Sequence, residues 1–207
     1  MVIFLRKIVE RIVHFLFRVK VHGKENFPLE DGALIVANHQ SIFDPVFILS
    51  VYSKKNIYFL AKKEASTGAM KIMQKAGAIP VDRENPSMET IMRCIKTLKM
   101  GKKLVVFPEG TRNKTGTTEI QEIKDGAEIF AVKAKAKIVP IIISRKAKLF
   151  CRTHVVVGNP FELSAFYGVK ITEDVTKEMN SIIKNSMIET QKLLINYDKK
   201  LQKQQCK

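Results

Sequence analysis

Apolar positions recur along this chain with two different spacings. Residues 1–20, MVIFLRKIVERIVHFLFRVK, repeat at the helical interval. At about 100° per residue, Arg6, Lys7, Glu10, Arg11, His14 and Arg18 fall within one arc of roughly 140°. Leu5, Ile8, Val9, Ile12, Val13, Phe15, Leu16 and Val19 fill the other side, with Ile3 and Phe17 out of pattern. Beyond residue 30 the pattern becomes short apolar runs separated by amphipathic stretches. The runs at 34–37, 57–61, 78–81, 103–108, 137–144 and 154–160 read as strands. The run at 103–108 is halted by Pro108, and the last ends in a Gly-Asn-Pro turn signal. The stretches at 45–52, 65–76, 87–99, 125–135 and 172–203 read as helices. Ser87 and Thr172 stand where N-caps belong. Met88, Ile91, Ile95 and Leu98 share one face of the 87–99 helix, and Val175, Met179, Ile182, Ile183 and Leu193 supply the stripe of the last. Short apolar strands alternating with helices predict an α/β fold, a layered sheet of mostly parallel strands flanked by helices. The expected division is an amphipathic segment over 1–22 and an α/β domain over 23–207 that ends in a long helix.

Charge changes this picture more than composition does. With 207 residues, 45% hydrophobic and 27% charged, the chain fits one ordinary globular domain with a single core. The net charge of +16 is not ordinary and implies an anionic partner: phospholipid, nucleic acid or a phosphorylated substrate. The basic face of the N-terminal helix fits a membrane-associating helix lying in the interface, where each Lys or Arg near an anionic leaflet contributes about 1 kcal/mol. A helix packed on its own domain would show the same periodicity. Arg6, Lys7, Glu10 and Arg11 interrupt the run, so neither a secretory signal nor a spanning helix is expected. Nucleic acid is disfavoured as the partner: aromatics are 8%, Trp is absent, and there is no RNA-recognition signature. Cys94, Cys151 and Cys206 are odd in number and scattered, which argues against a disulfide framework and points to a reducing compartment. No metal-ligand spacing occurs, and no metal site is expected.

Candidate chemistry lies where apolar runs stop. In IVANHQSIFDPVFIL a strand ends at Asn38-His39, and Asp44 follows five residues after the histidine. Histidine suits proton transfer near neutral pH, and a carboxylate on its far ring nitrogen fixes the tautomer. The competing reading is structural: Ser41-x-x-Asp44 also fits a capping box opening the next helix. No G-x-S-x-G nucleophile elbow is present, so a base here would activate a substrate hydroxyl or water. In VVFPEGTRNKTG, Glu109, Gly110, Thr111 and Arg112 crowd together just past another strand. Gly110 permits close backbone approach, Thr111 offers a hydroxyl, and Arg112 can grip a phosphate with two bonds. A plain surface turn with a Glu–Arg pair is the alternative. In GAIPVDRENP, Arg83 follows a short strand, with Asp82 as a possible ion-pair partner.

Together these stretches resemble the glycerolipid acyltransferases, especially the 1-acylglycerol-3-phosphate acyltransferases. NHQSIFD (38–44) is similar to that family's first block, GAIPVDR (77–83) to its second, FPEGTR (107–112) to its third and IVPIII (138–143) to its fourth. FLAKKE (59–64) and IKDGA (123–127) also look like family sequence, and the likeness covers about residues 20–160. The resemblance implies that His39 is a general base and Asp44 its orienter. It implies that Arg83 and Arg112 bind a phosphate, and that Glu109, Gly110 and Thr111 shape the acceptor pocket. It implies acyl transfer without an acyl-enzyme, from acyl-CoA or acyl-carrier protein as co-substrate, to the sn-2 hydroxyl of lysophosphatidic acid, giving phosphatidic acid. No bound cofactor is expected. The expected place is the cytoplasmic face of an anionic membrane, peripherally attached. Glycerol-3-phosphate or another lysophospholipid would be an alternative acceptor. A catalytically silent, basic lipid-binding protein would be a reading of another class, against which the intact His39–Asp44 pair counts. Two departures stand out. ASTGAMKIMQ (65–74) replaces a bulkier apolar stretch, and Asp125 stands where the family usually has lysine.

Overall fold

The computed structural model of the protein describes residues 2–28, 30–52, 56–62, 77–82, 85–113, 119–144 and 147–205. Its elements, in chain order, are α1 (Val2–Phe17), β1 (Lys20–His22), β2 (Ala33–Ala37), α2 (Asp44–Val51), β3 (Ile57–Lys62), β4 (Ala78–Val81), α3 (Met88–Lys99), β5 (Lys103–Val106), α4 (Ala127–Ala134), β6 (Lys137–Ile143), β7 (His154–Val157) and α5 (Glu173–Gln205). The helix expected at 65–76 lies outside the described residues.

The strands form one seven-stranded sheet in the order β1-β7-β6-β2-β5-β3-β4. From β6 to β4 every neighbouring pair is parallel; β7 runs antiparallel to β6, and β1 pairs parallel with β7. β2 and β6 are continuous apolar runs because helices cover both faces of a parallel sheet. Their alternating residues divide between two cores. Leu34, Val36, Ile138 and Ile142 pack with Ile95 and Leu98 of α3, Phe130 of α4 and Met179 and Ile183 of α5. Ile35, Ala37, Val139 and Ile141 pack with Val13 and Phe17 of α1 and Phe47 and Ile48 of α2. β1 falls within the 1–22 segment, so backbone pairing joins that segment to the rest of the sheet.

Three helical faces differ from expectation. In α1, Phe17 was one of two residues out of pattern, yet it is buried at 2% exposed, packed against Phe43 and Phe47 with ring centroids 4.9 and 5.4 Å away. Phe15, on the apolar side of the sequence pattern, is 76% exposed. The apolar arc of this helix is wider than α2 can cover, so its rotation is set by the aromatic cluster and not by polarity alone. In α3, Ser87 accepts the Thr90 N–H as an N-cap, but Met88 is exposed. Met88 lies only about 20° round the helix from buried Ile95, but it stands in the first turn, short of the buried Cys94, Ile95 and Leu98. In α5, Thr172 accepts the Val175 N–H, and the buried stripe is Met179, Ile183, Met187, Thr190 and Leu194. Ile182 and Leu193 lie about 100° round the helix from it and are exposed. Among the described residues no helix is long and apolar enough to cross a membrane.

Candidate active site

The topology itself marks a place for chemistry. β2 is followed by α2 on one face of the sheet, whereas β5 is followed by α4 on the other. β2 and β5 are nevertheless neighbours, in parallel register with Val36 opposite Val106. Outgoing chains therefore diverge there and open a crevice at the carboxyl ends of the two strands, where α/β sheets bind ligands. His39 lies three residues past Val36, and Glu109 three past Val106. They meet: the His39 backbone N–H donates to Glu109 Oε1 at 3.1 Å.

The loop that presents His39 is fixed from both sides. Asn38 donates to the Ile143 carbonyl at 3.0 Å and accepts the Ile143 N–H at 2.8 Å, joining the ends of β2 and β6. The Asn113 N–H donates to the His39 carbonyl at 2.7 Å, joining the loop to the turn after β5. The imidazole lies on the Phe107 ring, with centroids 4.2 Å apart and planes at 21°.

His39 Nδ1 stands 2.8 Å from Asp44 Oδ2. A carboxylate can only accept, so Nδ1 carries the proton and Nε2 is the basic nitrogen of the neutral ring. The same Oδ2 accepts the N–H groups of Gln40 at 2.6 Å and Ser41 at 2.7 Å. Asp44 is fully buried at the start of α2, where its negative charge also suits the helix dipole. Its bond to Ser41 is half of the capping box read in the sequence; Ser41 Oγ accepts from Phe43 instead. One oxygen of Asp44 therefore makes both the bond to the His39 ring and the half-box bond to Ser41.

Glu109 is buried beside this pair. Desolvation pushes its carboxyl up to about 7, and the Asp44 charge adds to the rise, against backbone bonds from His39 and Gln121 that favour the ion. Gly110 turns the chain at φ 72, a left-handed value that suits glycine. The stem of Lys124 crosses the place a side chain would take: a Cβ on Gly110 would stand 2.7 Å from Lys124 Cδ. The Lys124 N–H donates to the Pro108 carbonyl at 2.9 Å, which holds this stretch against the turn. An open cavity of about 530 Å³ is lined by Glu109, Thr111, Gln121, Glu122, Lys124 and Asp125. A smaller, mainly apolar cavity of about 110 Å³ lies beside it, between Leu60, Val106, Phe107 and Phe130.

His39, Asp44 and Glu109 are thus drawn together at the carboxyl ends of β2 and β5, with Gly110 and Thr111 on the turn that follows. Arg112 is exposed on the same turn, next to the Asn113 that binds the His39 carbonyl. Arg83 lies outside the described residues; β4, which precedes it, ends on the same sheet edge two strands from β5. Lys124 lines the cavity although only the IKDGA likeness marked it, because cavity walls assembled from distant segments leave no local pattern. The departure at Asp125 has a structural partner: Asn180 of α5 donates to Asp125 Oδ1 at 2.7 Å.

The acyltransferase family model matches residues 18–144. The 1-acyl-sn-glycerol-3-phosphate acyltransferase of Bacillus subtilis is 32% identical over 176 residues, covering 80% of this chain and 86% of its own. The enzyme of the same name from Streptococcus pneumoniae is 32% identical over 157 residues, 69% of this chain but only 55% of its own length. Among solved structures, the 1-acyl-sn-glycerophosphate acyltransferase of Thermotoga maritima shares the fold, with TM-score 0.59 at 22% identity, over 89% of this chain and 81% of that one.

Proposed function

The chain belongs to the acyltransferase family, and on that premise we propose that it acylates the sn-2 hydroxyl of 1-acylglycerol-3-phosphate, giving phosphatidic acid. The donor in this reading is a fatty acyl thioester, acyl-CoA or acyl-carrier protein. The observation that carries it is the His39–Asp44 pair at 2.8 Å in the crevice between β2 and β5. Asp44 holds the ring by Nδ1, so Nε2 takes the proton of the acceptor hydroxyl as its oxygen attacks the thioester carbonyl. The tetrahedral intermediate then collapses, the carbon–sulfur bond breaks, and the imidazolium returns the proton to the leaving thiolate. A thiol leaves readily because its pKa is about 8.5, and a base of this kind contributes about 10²–10⁴-fold in rate. No protein nucleophile is required.

The acceptor phosphate is assigned to Arg112 and Arg83, with Thr111 and Lys124 at the cavity wall. Glu109 and Gly110 shape that wall. Glu109, held near neutrality by burial, opposes a phosphate less than an ordinary carboxylate would. The names of the relatives support a phosphorylated lipid as acceptor, and the +16 charge supports an anionic membrane surface as the working place; peripheral attachment at the cytoplasmic face is part of the same proposal.

The test is thiol release from acyl-CoA, with and without lysophosphatidic acid, for wild type and His39→Ala together. Release that needs both the acceptor and His39 is expected, with a loss of at least about 10²-fold in the variant. Comparable turnover by a well-folded His39→Ala variant would remove His39 as the base. If the wild type releases no thiol from acyl-CoA, acyl-carrier protein is the donor to try, and silence with both would defeat the reading.

A further inference from the structure

α1 and the loop between β6 and β7 leave a set of large apolar side chains in water. Ile8, Ile12 and Phe15 lie on the outer face of α1, opposite the Val13 and Phe17 that pack on the domain. Leu149 and Phe150 stand on the loop, Phe150 at 63% exposed. The two groups are physically joined, since the Phe150 N–H donates to the Leu16 carbonyl at 2.6 Å. They also continue toward the catalytic loop. Phe17 packs against Phe43, and its neighbour Ile42 is 71% exposed, both lying between His39 and Asp44.

Phe150 adopts φ 60, a left-handed conformation that is uncommon for any residue except glycine and unfavourable for an aromatic one. Folding therefore holds a bulky ring in an unfavourable backbone state and leaves most of it in solvent. Such a combination is expected where a surface residue has a ligand. The surroundings state its chemistry. Arg11, Arg18 and Lys148 are exposed and Arg152 is half-buried around these apolar groups, and the segment 145–153, RKAKLFCRT, contains no acid.

We propose that the 148–152 loop and the outer face of α1 form one surface that inserts into an anionic lipid bilayer, with Phe150 and Leu149 as a second anchor beside the helix. Apolar side chains enter the acyl boundary while the cations around them meet lipid phosphates. A helix alone touches the bilayer along one line, and the domain behind it can rock about that line. A second contact at the loop resists that rocking, and with it steadies the carboxyl end of the sheet, where His39 follows the central strand β2. The inference deepens the acyltransferase reading but is tested apart from it.

The experiment is binding of the full chain to phosphatidylglycerol-containing vesicles and to pure phosphatidylcholine vesicles, for wild type, Phe150→Gly and Phe15→Ser. Phe150→Gly is the informative variant, because glycine relieves the backbone strain while deleting the ring. Its thermal midpoint is expected to match or exceed wild type, and its binding to the anionic vesicles to fall at least about tenfold. Phe15→Ser is expected to weaken binding similarly, and wild type to bind the neutral vesicles weakly. Turnover of a short-chain, water-dispersed acceptor should be unchanged in both variants. Undiminished vesicle binding by a stable Phe150→Gly would overturn the proposal. So would a wild type that ignores both vesicles, or a self-association lost in Phe150→Gly while vesicle binding persists. Vesicle binding without any acyl transfer by wild type would leave this inference standing and sink the acyltransferase reading instead.

Discussion

Asp44 Oδ2 accepts three N–H groups, from the His39 ring and from the backbones of Gln40 and Ser41. Read along the chain, a cap and a proposed catalytic orienter compete for the same residue. In space they cooperate, because the tight turn that closes the loop is what brings Asp44 back under His39. Glu109 was legible as a polar residue past a strand, but its protonation was not, since that depends on burial by distant segments. Its carboxyl, pushed up to about 7, is neutral below that pH and charged above it. Ionisation would place a negative charge beside the proposed phosphate site. The acceptor KM of wild type relative to that of Glu109→Gln is therefore expected to rise a few-fold as pH increases through about 7. Taking the ratio removes the titration of the acceptor itself. A ratio flat with pH would show that Glu109 does not ionise there or does not face the phosphate.

At the scale of the element, the first turn of α4 is held by Glu128, whose two carboxylate oxygens each accept the Gly126 N–H at 2.9 Å. Burial raises this carboxyl to about 7, with the Asp125 charge adding to the rise. The folded chain then binds a proton that the unfolded chain, with an ordinary glutamate, has already released. Glu128 thus contributes stability that is fully present below about 4.5 and is lost as pH rises through about 7. Glu128→Gln lacks that dependence. Its stability relative to wild type should improve by roughly 2–3 kcal/mol between about pH 5 and pH 8. Chemical denaturation at both pH values measures this, and a constant difference would contradict it. The same helix shows what periodicity conveys and what it omits. Its existence was plain from 125–135, but its start at Ala127 follows from Gly126 at φ 128 and from the Asn180–Asp125 bond that α5 supplies.

At the scale of the whole molecule, α5 closes the sheet where β6 gives way to β7. Gly158 stands just past β7, its N–H bonded to the Pro140 carbonyl at 2.9 Å. A Cβ there would meet Thr190 of α5 and would stand 2.8 Å from Pro140 Cγ. Thr190 cannot easily yield, because its hydroxyl donates to the Ser186 carbonyl at 2.8 Å. Gly158→Ala is expected to cost about 1–3 kcal/mol or more, read as a lower denaturation midpoint. A midpoint equal to wild type would mean that α5 packs less closely than described.

The sequence by itself determined the alternation of strands and helices, because continuous apolar runs and 3.6-residue stripes are local properties of the chain. It also determined the candidate chemistry, because functional groups stop apolar runs at the carboxyl ends of strands. Only the tertiary structure decided the strand order that makes β2 and β5 neighbours, and hence that His39 and Glu109, seventy residues apart, share a hydrogen bond. Only it decided which apolar residues of α1 are core and which are surface. Phe15 and Phe17 have the same hydrophobicity, and what separates them is whether Phe43 and Phe47 stand opposite, a fact about contacts that no local pattern contains.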